Sequence, residues 1–241
     1  MMTLRPLLLS CAFLTVFGST SAFAFGAAPQ KTFRVMPYGD SITEGGYNED
    51  GTWYSEGGYR IGLWQMLDQT GYDVHFVGSA SNGDFPEANH EGHSGWRIDQ
   101  VDAQSEQWVR DANPDFILLM IGTNDCNQNY QMDTIITRLK TLIAHLQSAG
   151  PHAQLFVSNL FYTNSPATNS RIDLYNSGLE PLIRAKAAVD PRVHFVDFQS
   201  VIGNGEHGTS DDLIDGVHPS PDGYALMAKT WFNQLKPYLN E

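Results

Sequence analysis

Phe116-Ile117-Leu118-Leu119-Met120-Ile121 is an unbroken apolar run, and Gly122-Thr123-Asn124-Asp125 follows it directly. A strand with one face in water alternates apolar and polar residues. A continuous run belongs to a strand covered on both faces, as in a parallel sheet with helices above and below. This segment therefore reads as a central strand with a polar turn at its carboxyl end.

The pattern repeats outward from it in both directions. Residues 33–36 (Phe-Arg-Val-Met) and 74–77 (Val-His-Phe-Val) read as earlier strands, and 155–157 (Leu-Phe-Val) and 193–198 as later ones. Helical segments lie between them at 58–70, 98–111 and 132–149. In the last, Ile135, Ile136, Leu139, Leu142, Ile143 and Leu146 make one apolar stripe and Gly150-Pro151 stops it. Residues 171–188 read as mostly helical, with Gly178 and Pro181 interrupting the pattern. Ser220-Pro221 opens a final helix whose Tyr224, Met227, Ala228, Trp231 and Leu235 share a face. Five strands alternating with helices predict an α/β fold: a three-layer α/β/α sandwich around a five-stranded parallel sheet. In such sheets the site lies beyond the carboxyl ends of the strands.

The chain has 241 residues, with 41% hydrophobic and 17% charged, an ordinary globular balance. No linker, repeat or low-complexity run divides it, so one domain over 25–241 is expected after a separate N-terminal stretch. Residues 1–24 hold a single charge, Arg5, an apolar run from Leu7 to Phe17, and Ala22-Phe23-Ala24. This pattern predicts a secretory signal cleaved after Ala24, hence an extracellular or periplasmic protein. The run is too short for a spanning helix, so no stable membrane insertion is expected. A weaker reading makes Cys11 a lipoprotein site. Cleavage would remove Arg5, leaving 13 basic against 27 acidic residues, a net charge of −14. Such acidity argues against a nucleic-acid partner. Cys126 would be the sole remaining cysteine, so no disulfide within the chain is expected, and no zinc-type spacing is present.

Three segments carry candidate chemistry. Gly39-Asp40-Ser41-Ile42-Thr43 directly follows the first strand, where a serine can project from a turn. Gly122-Thr123-Asn124-Asp125 offers an amide donor at the end of the third. Asp215-Gly216-Val217-His218-Pro219 places a carboxylate three residues before a histidine, so the acid can orient the ring and stabilise its imidazolium. Each alone is weak, because Gly, Asp, Asn and Ser are also the ordinary residues of turns and caps.

Together, and in this order, the segments resemble the SGNH hydrolases, also called GDSL esterases. The resemblance spans about Phe33 to Leu239 and implies a flavodoxin-like sheet. It implies Ser41 as nucleophile, Asp215 and His218 as its partners, and an oxyanion hole of the Ser41 and Gly95 backbone N–H groups with the Asn124 side chain. Ile42 replaces the Leu of the older motif name. A narrower resemblance, to carbohydrate esterase family 3, rests on residues 36–45, Gly57-Gly58-Tyr59-Arg60, Phe76-Val77-Gly78-Ser79 and His90-Glu91-Gly92-His93-Ser94-Gly95-Trp96. That family is known chiefly for acetylxylan esterases. Tyr38 stands where a smaller aliphatic residue is expected, which puts it at the rim of the acyl pocket.

The implied reaction is acyl transfer through a covalent Ser41 intermediate, with no metal and no organic cofactor. Asp40, Trp96 and Tyr38 are the expected substrate contacts, Trp96 foremost among Tyr38, Tyr47, Trp53, Tyr54, Trp96 and Tyr162, aromatic residues in or beside loops near the expected site whose faces suit sugar rings. His90 and His93 flank the Gly95 loop and read as structural. The expected partner is an acetylated polysaccharide or oligosaccharide, xylan above others. The alternatives are a lipid esterase or thioesterase on the same machinery, and a non-catalytic carbohydrate-binding protein on a hydrolase fold.

Overall fold

The computed structural model describes residues 31–205 and 211–239. The stretch read as a signal, 1–24, lies outside them. From Lys31 onward the chain forms one compact unit. Its elements in order are β1 (Thr32–Gly39), α1 (Ser41–Glu44), β2 (Gly46–Glu49), β3 (Thr52–Ser55), α2 (Tyr59–Gln69), β4 (Asp73–Phe76), β5 (Ala80–Ser81), β6 (Asn89–Gly92), α3 (Ile98–Ala112), β7 (Phe116–Met120), α4 (Thr123–Gln128), α5 (Ile135–Ala149), β8 (Gln154–Ser158), α6 (Pro166–Ala187), β9 (Val193–Val196) and α7 (Pro221–Leu235).

Five parallel strands make the frame, in the order β4-β1-β7-β8-β9. Every residue of β7 is buried, as its uninterrupted apolar sequence requires. The chain lays β4 on one side of β1 and β7 on the other, so winding reverses at β1. A crevice opens where it does, outside the carboxyl ends of β1 and β7. Ser41 leaves the first of these ends and Asn124 the second.

Two short strands extend the sheet to seven. β4 pairs with β1 only as far as Val35–Phe76. Beyond it β6 takes over the same edge, matching Tyr38 with Glu91 and Gly39 with Gly92, and β5 pairs antiparallel with β6. This second ladder brings residues 91–95 to the crevice. A separate antiparallel hairpin, β2–β3, directly follows α1. Neither feature was expected from the sequence, because both are built from short polar segments.

The helices form two outer layers. α2 packs on α7, and α3 on α5, which also meets α6. Tyr59, Leu63, Leu67, Met227, Ala228 and Trp231 fill one side; Val101, Val109, Leu139, Leu142, Ile143, Tyr175 and Leu179 fill the other. α6 runs unbroken through both residues that put its continuity in doubt. A Cβ on Gly178 would meet the Ile136 side chain at 2.6 Å, so glycine there lets α6 approach α5. Pro181 sits on the exposed face, and Ser177, whose carbonyl it leaves without a helical donor, is exposed as well. α6 also begins earlier than its apolar pattern, at Pro166, behind the Ser165 cap. Among the described residues, no helix is long and apolar enough to cross a membrane.

Candidate active site

Ser41 is the first residue of the four-residue helix α1. Asp40 caps that helix by accepting the Ile42 N–H at 3.0 Å, and Gly45 closes it in the left-handed conformation. Arg60 fixes α1 from below. Its buried guanidinium donates to the carbonyls of Thr43, Glu44, Ala88 and Asn82 and to the Asn82 side chain, with no carboxylate of the described residues in contact. Burial pulls Arg60 down to about 10.

Three residues far apart in the chain meet in a continuous line. Ser41 Oγ lies 2.8 Å from His218 Nε2, and His218 Nδ1 lies 2.7 Å from Asp215 Oδ2. Asp215 Oδ1 accepts the N–H groups of Val217 and His218, which locks the carboxylate against its own loop. Its Oδ2 also accepts the Asn48 N–H from the β2–β3 hairpin at 2.8 Å. Burial raises the Asp215 carboxyl, but the His218 and Asn48 backbone donors and the His218 ring outweigh it and hold it below the usual carboxylate value. Such a line can pass the serine proton to the ring while the carboxylate supports the imidazolium.

Across from Ser41 lies the turn 93–96, closed by Trp96 N–H to the His93 carbonyl at 3.1 Å. Gly95 takes φ +77 there, a conformation that L side chains rarely adopt. Asn124 Nδ2 donates to the Trp96 carbonyl at 3.0 Å. An amide nitrogen carries two hydrogens, so this bond orients Asn124 and leaves a second donor. Ser41, Gly95 and Asn124 all line one pocket of about 480 Å³, with Trp53, Ser94, Thr123, Asn127, Val217 and His218. A second cavity of about 280 Å³ adjoins the hairpin, lined by Tyr47, Ile61, Pro219 and others, with no serine or histidine among the described residues of its wall.

The chain matches the model of the GDSL-like lipase/acylhydrolase family over residues 38–226. It belongs to that family. The family is one of carboxylic ester hydrolases, and its match covers both ends of the Ser41–His218 line. A family 3 carbohydrate esterase from Clostridium thermocellum is 33% identical, with a TM-score of 0.70 over 87% of this chain and 98% of that one. A family 3 carbohydrate esterase from Talaromyces cellulolyticus is 25% identical, with a TM-score of 0.71 over 87% and 99%. A multidomain esterase from Ruminococcus flavefaciens is 33% identical over 86% of this chain, which spans only 29% of that relative's length.

Two expected substrate contacts, Tyr38 and Asp40, are corrected by their positions. Tyr38 is wholly buried in β1; its hydroxyl donates to the Val101 carbonyl and its ring packs against Trp108. It points into the α3 layer because strand side chains alternate, and it forms no rim. Asp40 is wholly buried as the cap of α1, with its carboxyl pushed up to about 7 by burial despite the Ile42 N–H. Trp96 is half-buried, next to Gly95 of the pocket wall, and stacks on His93. Trp53, one of the aromatic residues expected near the site, is an aromatic wall of the pocket: 43% exposed, on a hairpin whose sequence carries no motif. Cys126 is buried and its thiol is pushed up to about 12, so it is no rival nucleophile. Among the described residues, no cluster of His, Cys, Asp or Glu is arranged to hold a metal ion.

Proposed function

We propose that this chain is a serine esterase that removes acetyl groups from a polysaccharide, acetylated xylan foremost. Residues 25–241 form its catalytic domain, exported by the N-terminal stretch. The observation that carries the reading is the Ser41–His218–Asp215 line opening into a pocket that also holds Gly95, Asn124 and an exposed tryptophan. Ser41 attacks the ester carbonyl as His218 takes its proton. The Ser41 and Gly95 N–H groups and the Asn124 amide receive the oxyanion. His218 then protonates the leaving sugar hydroxyl, and water releases acetate by the same route.

Two features support a small acyl group on a sugar. Trp53 and Val217 are the only large apolar side chains among the nine described lining residues, fewer than a pocket built for a long acyl chain would place there. The open face of Trp53 suits a sugar ring beside the ester. The family 3 carbohydrate esterases that this chain resembles add weight to the same reading.

Hydrolysis of nitrophenyl acetate, butyrate and octanoate, beside acetate release from acetylated xylan, tests it. Acetate should be cleaved fastest and xylan deacetylated. Equal or greater kcat/KM on octanoate would replace the proposal with a lipid esterase. Xylan binding with no turnover on any ester would replace it with a carbohydrate-binding protein.

A further inference from the structure

Glu91 and His93 lie two residues apart around the end of β6, so their side chains fall on one side of the strand. Glu91 is wholly buried and accepts three donors: Ser79 N–H at 2.8 Å, Ser79 Oγ at 2.7 Å and His93 Nε2 at 2.6 Å. Two indoles pack against the His93 ring and against each other. Trp96 stacks on it at 4.6 Å and 26°, Trp108 at 4.5 Å and 13°, and the indole centroids are 6.0 Å apart. The edge of Tyr38 supports Trp108 from within the sheet at 6.1 Å. His93 is thus fixed in plane by the stack and in rotation by the carboxylate.

This group begins the turn that faces Ser41. The His93 N–H donates to the Gly39 carbonyl, two residues before Ser41, and the His93 carbonyl accepts Trp96 N–H. Ser94 Oγ donates to Glu44 Oε2 at 2.5 Å, which ties the turn to α1. The Trp96 carbonyl holds Asn124 Nδ2. Where Trp96 sits therefore sets both the Gly95 N–H and the Asn124 amide.

We propose that His93, packed against Trp96 and Trp108 and anchored on Glu91, is a positioning residue that aligns the Gly95 and Asn124 donors on the ester oxygen. This inference rests on the triad reading above. It assigns work to a histidine that touches neither Ser41 nor the pocket. A donor displaced by a fraction of an ångström loses much of its transition-state bond while ground-state binding barely changes.

His93→Phe keeps a flat ring for the stack and removes the bond to Glu91. Glu91→Gln keeps the shape and weakens the same anchor, and serves if the first variant does not fold. Either should lower kcat on nitrophenyl acetate by about 10-fold or more, with KM within about twofold. Phosphonylation of Ser41 by a serine-directed organophosphonate should slow in parallel. The Gly95 backbone and Asn124 side-chain amide resonances should shift in the folded, unliganded variant. A structural role alone would lower the melting temperature with kcat and both resonances unchanged, and that result overturns the proposal. A change confined to KM overturns it too, because His93 would then act on substrate. Ser41→Ala is measured beside them: an active variant removes the triad and the inference with it. Unchanged kcat in His93→Phe removes only the inference.

Discussion

The Trp53 indole and the His218 ring meet edge to face, with centroids 5.2 Å apart and planes at 79°. The hairpin that carries Trp53 also carries Asn48, whose N–H binds Asp215. One small antiparallel unit therefore touches two of the three residues in the proposed catalytic line and walls the pocket beside them.

Trp53→Ala should cost acetylated xylo-oligosaccharides about 10-fold in kcat/KM, since an aromatic contact of this kind is worth about 0.5–1.5 kcal/mol. Nitrophenyl acetate, with no sugar to stack, should lose much less. Equal losses on both substrates would reduce Trp53 to a prop for His218.

Asn124→Ala should lower kcat by about 10²-fold with KM little altered, as expected for a donor that works on the oxyanion. The carbonyl of Trp96 would lose its partner as well, so the variant's fold is checked by circular dichroism. An effect on KM alone would make Asn124 a substrate-binding group.

Asp215→Asn should lower kcat by about 10⁴-fold, because an amide in place of Oδ2 faces the Asn48 N–H and stabilises the wrong ring tautomer. It also has a signature in stability. The folded carboxyl titrates below its ordinary value. Its contribution is therefore present above pH ~4 and lost as pH falls through the lowered folded value. Wild type should lose more stability than the variant between pH 6 and pH 3, measured by urea unfolding. Parallel curves would contradict the lowered carboxyl.

Asp40 has the opposite sign. Burial raises its carboxyl from 3.8 to about 7 in the folded chain. The folded state then holds the proton more tightly than the unfolded one, so this contribution is complete below pH ~4 and drains away as pH rises toward 7. Asp40→Asn keeps an oxygen to cap Ile42 and removes the titration. Relative to wild type it should gain stability between pH 5 and pH 8. A wild-type curve no steeper than the variant's would show that Asp40 stays ionised.

The alternating pattern of apolar runs and stripes was enough to determine the parallel sheet, because burial on both faces leaves continuous apolar strands that survive in the sequence. It did not by itself select Ser41, Asn124, Asp215 and His218: each sits at a strand end or beside the last helix, where turn residues are ordinary, and it was the order of their segments, resembling the SGNH hydrolases, that marked them as candidates. The hairpin β2–β3 and the β5–β6 ladder were not legible, because their short polar strands are paired by neighbours rather than by any periodicity of their own. Only the tertiary structure decided which aromatic residues meet solvent. Tyr38 adjoins a motif in sequence, but strand alternation turns it into the α3 layer, and Trp96 is half-buried against His93. Trp53, twelve residues past Ser41 and in no motif, reaches the pocket because the hairpin folds back over the His218 loop.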